Sequence, residues 1–177
     1  MILCFHEIGF SSCEWVITPK HFEEILDKYP NAEIQFDDGR TGVYQFALPI
    51  LKKRNRKATI FLVPYFIFGK ASEKEKYSLF LNFQQIKELI NEGWELGSHS
   101  YSHSNLTILN DEELLKEMTL SKNFIETSFK VNVNKFAYPF GEVDARVAEI
   151  AKRFYSKCYS LDSDLGIKRE LISNDLV

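Results

Sequence analysis

The chain has 177 residues, 45% hydrophobic and 27% charged, a composition typical of one globular domain spanning residues 1–177. Its net charge is only −3, from 22 Lys plus Arg against 25 Asp plus Glu, so we expect no nucleic-acid partner. We also expect no membrane-spanning segment, and the three cysteines, which lack a C-x-x-C spacing, predict neither a disulfide framework nor a cysteine metal site.

The first residues predict a strand rather than a signal peptide. The segment ILCFH at 2–6 is apolar, but no basic segment precedes it and it is too short for the apolar part of a signal. The chain as it stands is therefore expected to be cytoplasmic, although an exported protein whose signal had been removed would read the same way. The sequence does not indicate an oligomeric state.

The next segments predict a helix, a helix with a bend, and a buried strand. Residues 18–29 predict a helix with Thr18 as its N-cap and Pro19 in its first turn. A second helix is predicted over 43–54, where a proline should bend it or remove a hydrogen bond. The apolar run ATIFLV at 58–63 is typical of a strand buried on both faces.

Strands and helices continue to alternate to the end of the chain. Further strands are predicted at 33–37, 94–97, 135–139 and 157–161, and further helices at 82–93, 110–129 and 144–154. Such alternation predicts parallel β-α-β units. A full eight-unit barrel needs about 250 residues, so any barrel built from this chain is incomplete or compressed.

Residues that can bind a metal or transfer a proton lie where the predicted strands end, which is where α/β proteins place their sites. Asp37 and Asp38 stand at the end of one strand, in IQFDDGR. His99 and His103 follow another, in GSHSYSHSN, and a third loop contains FAYPFG at 136–141.

Each of these features has an ordinary explanation when it is taken alone. DDG is more often a turn than a site, His6 could be a core histidine, and an H-x-x-x-H pair could lie on a solvated helix face. On a helical turn, however, such a pair would place both rings on one side, which suits metal binding. Two imidazoles and one carboxylate form a typical catalytic metal site with an open position. One aspartate would then bind the metal, and the other would move protons.

Three motifs, QFDDG, HSYSH and FAYPFG, resemble in order and spacing those of the NodB-homology polysaccharide deacetylases (carbohydrate esterase family 4). The resemblance includes FHEIG near the start and INEGWELGSHSYSH, and it covers essentially the whole chain. It implies an α/β fold, a distorted, incomplete (β/α) barrel. It also implies a metal-dependent hydrolase that removes N-acetyl or O-acetyl groups from an acetylated carbohydrate, with one divalent ion, zinc first and cobalt or nickel as alternatives.

The resemblance also implies roles for individual residues. Asp37 matches the catalytic base. The matching metal ligands are Asp38, His99 and His103. Tyr138 matches the residue whose backbone N–H helps to hold the oxyanion, and the substrate is expected to contact Tyr138, Pro139 and Phe140.

The sequence departs from the family pattern at three places. The family commonly supplies its general acid as a late histidine, but no histidine follows His103. His6 is the expected substitute, and return of the proton by Asp37 is the alternative. The third motif lacks its usual arginine, so Arg169 is expected to approach and orient the base. Residue 35 is Gln where the family usually has Thr or Ser.

Two other functions stay open. The absent late histidine would suit a deacetylase-like domain that binds sugar without turnover. A phosphatase with an aspartyl nucleophile and Mg²⁺ would need a D-x-D motif, and FDDG lacks the intervening residue.

Overall fold

The computed structural model describes residues 1–68, 79–161 and 164–174. In chain order its strands are β1 (Ile2–Phe5), β2 (Glu7–Ile8), β3 (Val16–Ile17), β4 (Glu33–Phe36), β5 (Thr59–Leu62), β6 (Glu95–Ser98), β7 (Lys135–Ala137), β8 (Lys157–Ser160), β9 (Ile167–Lys168) and β10 (Glu170–Leu171). Its α-helices are α1 (Pro19–Lys28), α2 (Leu48–Lys53), α3 (Pro64–Ile67), α4 (Phe83–Asn91), α5 (Asp111–Phe129) and α6 (Ala145–Ala151).

The main sheet curls into a nearly closed barrel. Among the described residues, eight strands pair in parallel in the order β10-β1-β4-β5-β6-β7-β8-β9. The two edge strands, β9 and β10, are consecutive in the chain and are separated only by Arg169. This one segment therefore bonds to β8 through its first half and to β1 through its second half. The expected distorted, incomplete (β/α) barrel is confirmed.

The strand β5 is buried on both faces, as its apolar sequence predicts. On one face Phe61 packs inside the barrel against Tyr159, with ring centroids 5.6 Å apart. On the other face Ile60 and Leu62 join the larger core beneath the helices. Gly97 on β6 is needed beside this strand, because a Cβ atom there would lie 2.3 Å from the Phe61 ring.

Helix α1 begins as its sequence predicts. The Thr18 side chain accepts a hydrogen bond from the His21 N–H at 3.2 Å, and Pro19 occupies the first turn. Its core face consists of Phe22, Ile25 and Leu26. None of the helices in the described ranges has the length and apolar character that a membrane crossing requires.

The helix predicted over 43–54 is present, but its first half is a π-helical turn over Val43–Ala47. The Leu48 N–H donates to the Val43 carbonyl, which is the wide i→i−5 bond of such a turn. Pro49 has no N–H to donate, so the regular ladder is interrupted at this point. Helix α2 continues from there to Lys53.

A small ribbon outside the barrel sheet was not predicted from the sequence. Strands β2 and β3 pair in parallel with each other, and the segment 9–15 connects them. Each strand has only two residues, which is too short for an alternating pattern to be recognised. The ribbon matters because its connecting segment borders the candidate site.

Candidate active site

Four strands of the parallel sheet, β1 and β4 on one side of β5 and β6 and β7 on the other, end at one edge of the barrel. His6 follows β1, Asp37 follows β4, His99 follows β6 and Tyr138 follows β7. A cavity of about 440 Å³ opens at this edge, a size typical of small-molecule sites. Of the residues singled out in the sequence, the cavity is lined by His6, Asp37, Asp38, His99, His103 and Phe140.

Asp37 and Asp38 reach the same cavity because the chain turns directly after β4. Asp38 and Gly39 both have left-handed backbones, with φ of +69° and +75°, and the Gly39 N–H donates to the Asp37 carbonyl at 2.9 Å. In a straight strand, neighbouring side chains would point to opposite faces. The turn lets both buried carboxylates face one site.

Asp38, His99 and His103 form a cluster whose ligand atoms all lie within 4.8 Å of one another. Asp38 Oδ1 lies 3.3 Å from His103 Nε2 and 3.7 Å from His99 Nε2. Among the described residues this buried oxygen has no hydrogen-bond partner, which is unusual for a buried polar atom. A carboxylate and two imidazoles so placed match the ligand set of a divalent metal ion.

The two imidazoles are prepared to act as ligands. His99 Nδ1 lies 2.8 Å from the Ala137 carbonyl, so Nδ1 carries the proton and the Nε2 lone pair faces the cluster. Burial and the neighbouring His99 lower the pKa of His103 to about 4, which leaves its ring neutral at pH 7. Neutral rings with free lone pairs fit a metal, whereas protonated rings would repel it.

The segment from His99 to His103 is not the helical turn that the H-x-x-x-H spacing suggests. Ser100 and His103 both have a left-handed backbone, with φ of +62°, which a helix does not allow. The Ser100 hydroxyl accepts the His103 N–H at 3.0 Å. The resulting tight loop brings the two imidazole centroids within 4.9 Å.

Glu117 on α5 anchors this loop. Its carboxylate accepts hydrogen bonds from the Tyr101 N–H at 2.8 Å, the Ser102 N–H at 2.9 Å and the Ser102 hydroxyl at 2.7 Å. Bonds to an ionised acceptor are strong, and partners of this kind orient metal-binding side chains. Sequence reasoning missed Glu117, because nothing in a helical pattern indicates which loop a surface carboxylate reaches.

Arg169 reaches the predicted base from the closing segment between β9 and β10. Its Nη1 and Nη2 atoms donate to Asp37 Oδ1 and Oδ2 at 2.7 and 2.8 Å, and Nη1 also donates to Gln35 at 3.4 Å. The thiol of Cys4 donates to Asp37 Oδ2 at 3.3 Å. Burial opposes ionisation of Asp37, but the Arg169 guanidinium outweighs it and holds the pKa well below its usual range.

His6 lies at the cavity wall, where its ring packs against Trp15 with centroids 5.3 Å apart. Burial lowers the pKa of His6 below its ordinary value, so the ring is neutral at pH 7. Among the described residues, its Nδ1 atom is buried without a hydrogen-bond partner. A neutral ring would have to take up a proton before it could donate one to a bound molecule.

The third motif is arranged differently from what the resemblance implied. The Tyr138 N–H donates to the Tyr159 carbonyl at 3.1 Å, so this amide is already used by the sheet. The Tyr138 side chain is fully buried. The assignment of Tyr138 as oxyanion donor and substrate contact is therefore wrong on this geometry. Pro139 is also buried. Phe140, with φ of +60° and 61% of the residue exposed, lies at the cavity wall instead.

Two charged residues beside the aspartates also escaped sequence reasoning. Arg40 donates from Nε to Asp38 Oδ2 at 3.2 Å, which leaves Oδ1 facing the histidines. Glu7 lines the cavity next to Arg40. The position of Arg40, two residues after Asp38, is the only signal that could have indicated its contact.

The family model for polysaccharide deacetylase matches residues 28–158. The chain belongs to the polysaccharide deacetylase family. The matched segment includes Asp37, Asp38, His99 and His103 of the candidate site.

Individual relatives agree with this assignment. The protein YxkH of Bacillus subtilis (strain 168) is 31% identical over 153 residues, covering 84% of this chain and 50% of that protein. A poly-β-1,6-N-acetyl-D-glucosamine N-deacetylase of Staphylococcus aureus (strain MRSA252) is 29% identical over 169 residues, covering 84% of this chain and 57% of that enzyme. The chain spans about half the length of these curated relatives.

The fold is shared with a solved deacetylase structure. The Streptococcus pyogenes deacetylase PplD, in complex with acetate, superposes with a TM-score of 0.83 at 22% identity, covering 97% of this chain and 91% of that one. At this identity the likeness concerns the barrel fold alone.

Proposed function

We propose that the protein is a metal-dependent carbohydrate deacetylase that hydrolyses N-acetyl or O-acetyl groups. The observation that carries the proposal is the unpartnered Asp38 Oδ1 facing two imidazole nitrogens, beside a buried Asp37, in an open cavity. The Staphylococcus aureus relative, named for action on a poly-N-acetylglucosamine, supports an acetylated amino sugar as the substrate. Acetate release from a β-1,6-linked N-acetylglucosamine tetrasaccharide tests the proposal, and its absence with every divalent metal would contradict it.

One divalent ion, zinc first and cobalt or nickel as alternatives, would be held by Asp38, His99 and His103. When bound, it would lower the pKa of a water molecule and polarise the acetyl carbonyl. Asp37 Oδ2 lies 3.9 Å from His99 Nε2, so this carboxylate is close enough to accept the proton of the attacking water. Arg169 keeps Asp37 ionised and fixes its orientation.

The developing oxyanion also needs a hydrogen-bond donor from the protein. Within the third motif Pro139 has no N–H, the Tyr138 N–H donates to Tyr159, and the Gly141 N–H donates to the Tyr138 carbonyl. The Phe140 amide is the remaining donor, and its residue borders the cavity. We therefore assign the oxyanion contact to Phe140 rather than to Tyr138.

Replacing His99 or His103 by Ala is expected to weaken zinc binding sharply, by an order of magnitude or more, because each removes one of three protein ligands. Titration of chelator-treated protein with Zn²⁺, Co²⁺ and Ni²⁺ measures the affinity and should give one ion per chain. His21→Ala, at an exposed histidine of α1, is the matched control and should bind like the parent protein. Equal affinity in all three variants would remove the proposed metal site.

Replacing His6 by Gln is expected to slow amide cleavage more than ester cleavage. An amine leaving group needs a proton, whereas a phenolate leaves without one, so loss of an imidazole that would take up a proton during turnover and pass it to the amine affects the amide selectively. The measurement is kcat on an acetylated chitooligosaccharide against kcat on a chromogenic acetate ester, with His21→Gln as the control. An equal loss on both substrates, or none, would favour Asp37 as the group that returns the proton.

A sugar-binding domain without turnover is the second candidate. The strongly lowered pKa of Asp37 favours it, because a carboxylate held this firmly by Arg169 is a weak base. Tight binding of the β-1,6-linked tetrasaccharide, without acetate release from the acetylated chitooligosaccharide or from the chromogenic acetate ester, would support this candidate.

A further inference from the structure

The segment between β2 and β3 forms one wall of the candidate active site, although little of it is buried. Residues 10–15 are all exposed. Cys13 and Trp15 line the cavity. The Trp15 ring packs against His6, with ring centroids 5.3 Å apart. This contact therefore depends on a segment that buries little of its own surface, and such segments open easily unless other bonds hold them.

Two hydrogen bonds inside the ribbon shape this segment but do not attach it to the barrel. The Val16 N–H donates to the Cys13 carbonyl at 3.0 Å, and the Glu7 N–H donates to the Trp15 carbonyl at 3.3 Å. Both bonds join residues of the ribbon to one another. They leave the position of the wall against the barrel to contacts with other parts of the chain.

Asn174, near the C-terminus, holds the segment from outside the ribbon. Its Nδ2 atom donates hydrogen bonds to the Cys13 carbonyl at 3.2 Å and to the Val16 carbonyl. Its backbone N–H donates to the Glu14 carbonyl at 2.9 Å. Carbonyl groups on both sides of Trp15 are therefore bonded to one residue. A carboxamide suits this position because its nitrogen offers two N–H donors.

Asn174 is itself held by the segment that closes the barrel. The Ile172 N–H donates to the Cys4 carbonyl at 2.9 Å and so continues the pairing of β10 with β1. On the same segment, Arg169 donates to both carboxylate oxygens of Asp37. One short segment therefore holds the proposed base at one end and the cavity wall at the other.

We propose that Asn174 is a positioning residue, which holds Trp15 against His6 and so fixes the place of the imidazole in the cavity. The proposal rests on the proposed function, because it takes His6 to pass a proton to the leaving amine. Within the described residues, the cavity is lined by Trp15 and His6 but not by Asn174, so Asn174 acts through Trp15.

Asn174→Asp tests the hydrogen bonds, because a carboxylate keeps the shape of the side chain but has no N–H to donate. Acrylamide quenching of tryptophan fluorescence measures the wall, since Trp15 is 39% exposed and Trp94, the other tryptophan, is 5% exposed. Quenching should become about twofold stronger in Asn174→Asp and in Asn174→Ala, as the released segment exposes the ring. Asn31→Asp, at an exposed turn between α1 and β4, makes the same change of charge and should be quenched like the parent protein.

Proton NMR measures the other side of the contact without any turnover. The chain has four histidines, so the ring protons of His6 can be assigned by their loss in His6→Gln. The ring current of Trp15 displaces these resonances in the parent protein. In Asn174→Asp they should move towards the positions that they have in Trp15→Leu, and in Asn31→Asp they should not move.

The effect on the proposed reaction should be selective. Both Asn174 variants should lower kcat for the acetylated chitooligosaccharide by about fivefold, the scale of one lost hydrogen bond, and kcat for the chromogenic acetate ester much less. Zinc affinity should stay unchanged, which shows that the barrel edge is folded. Trp15→Leu should give the same selective loss. Adding Asn174→Asp to it should cause no further loss, because both changes remove one contact.

The proposal is overturned if the quenching and the His6 resonances of both Asn174 variants match those of Asn31→Asp. It is also overturned if the wall moves while the ratio of the two kcat values stays at that of the parent protein, because Asn174 would then have no part in placing the imidazole. Absence of acetate release by the parent protein would count against the proposed function alone. The fluorescence and NMR measurements would still decide whether Asn174 holds Trp15 against His6.

Discussion

Replacing Asp37 by Asn is expected to lower kcat for acetate release by about 10²-fold or more while zinc affinity is kept. The amide keeps the shape of the side chain but cannot accept a proton, and loss of a general base usually has this scale. Asp38→Asn should instead lose both zinc and activity, because it removes a charged ligand atom from the cluster around His99 and His103. The measurements are kcat with saturating zinc and the zinc dissociation constant for each variant.

Asp27→Asn is the control for the loss of a carboxylate, since Asp27 is exposed and pairs with Arg54 at the surface. It should leave kcat and zinc affinity unchanged. The assignment of roles is reversed if Asp37→Asn loses zinc while Asp38→Asn keeps it. If Asp37→Asn and Asp38→Asn both remain active, neither aspartate takes part in catalysis and the two residues only form a turn.

Most of the regular structure follows from local sequence patterns. The Asn110 and Glu113 side chains form a capping box at the start of α5, and the apolar run of β5 is buried on both faces. These patterns can be recognised in the sequence because each depends on residues that are close together in the chain. Parallel strands place their carboxyl ends at one edge of the barrel, so the location of the site at that edge could also be predicted.

The closure of the barrel does not follow from local patterns. The segment at 167–171 shows no apolar run, and Ile167 is 42% exposed. Its strands exist because they pair with β8 and β1, and its side chain Arg169 bonds to a residue 132 positions away. Only the resemblance to a family suggested that Arg169 approaches the base. Pairing between distant segments is decided by the whole fold, so sequence patterns within one segment cannot predict it.

Part of the candidate site could likewise be predicted from the sequence, and part could not. Residue type and strand-end position were enough to select Asp37, Asp38, His99 and His103, and the structure brings all four into one cavity. The backbone of Tyr138 was misjudged, because a sequence does not indicate that its amide bonds to Tyr159.

Replacing Arg169 by Met is expected to lower the free energy of unfolding of the metal-free protein by about 3–5 kcal/mol. Arg169 and Asp37 form a buried ion pair, with Arg169 2% and Asp37 3% exposed, and removing one partner leaves a buried charge uncompensated. Urea unfolding at pH 7 measures the change. Arg146→Met is the matched control, since Arg146 pairs with Asp111 at the surface, and it should cost at most about 1 kcal/mol.

The double variant Asp37→Asn with Arg169→Met separates the charge from the packing. Because it removes both members of the buried pair, it should be more stable than Arg169→Met alone and yet remain inactive, since the base is absent. Zinc should reduce the destabilisation of Arg169→Met, because a cation beside Asp37 compensates its charge. If Arg169→Met costs no more than Arg146→Met, the pair does not hold the closing segment. If the double variant is no more stable than Arg169→Met, the arginine acts by filling the barrel rather than by its charge.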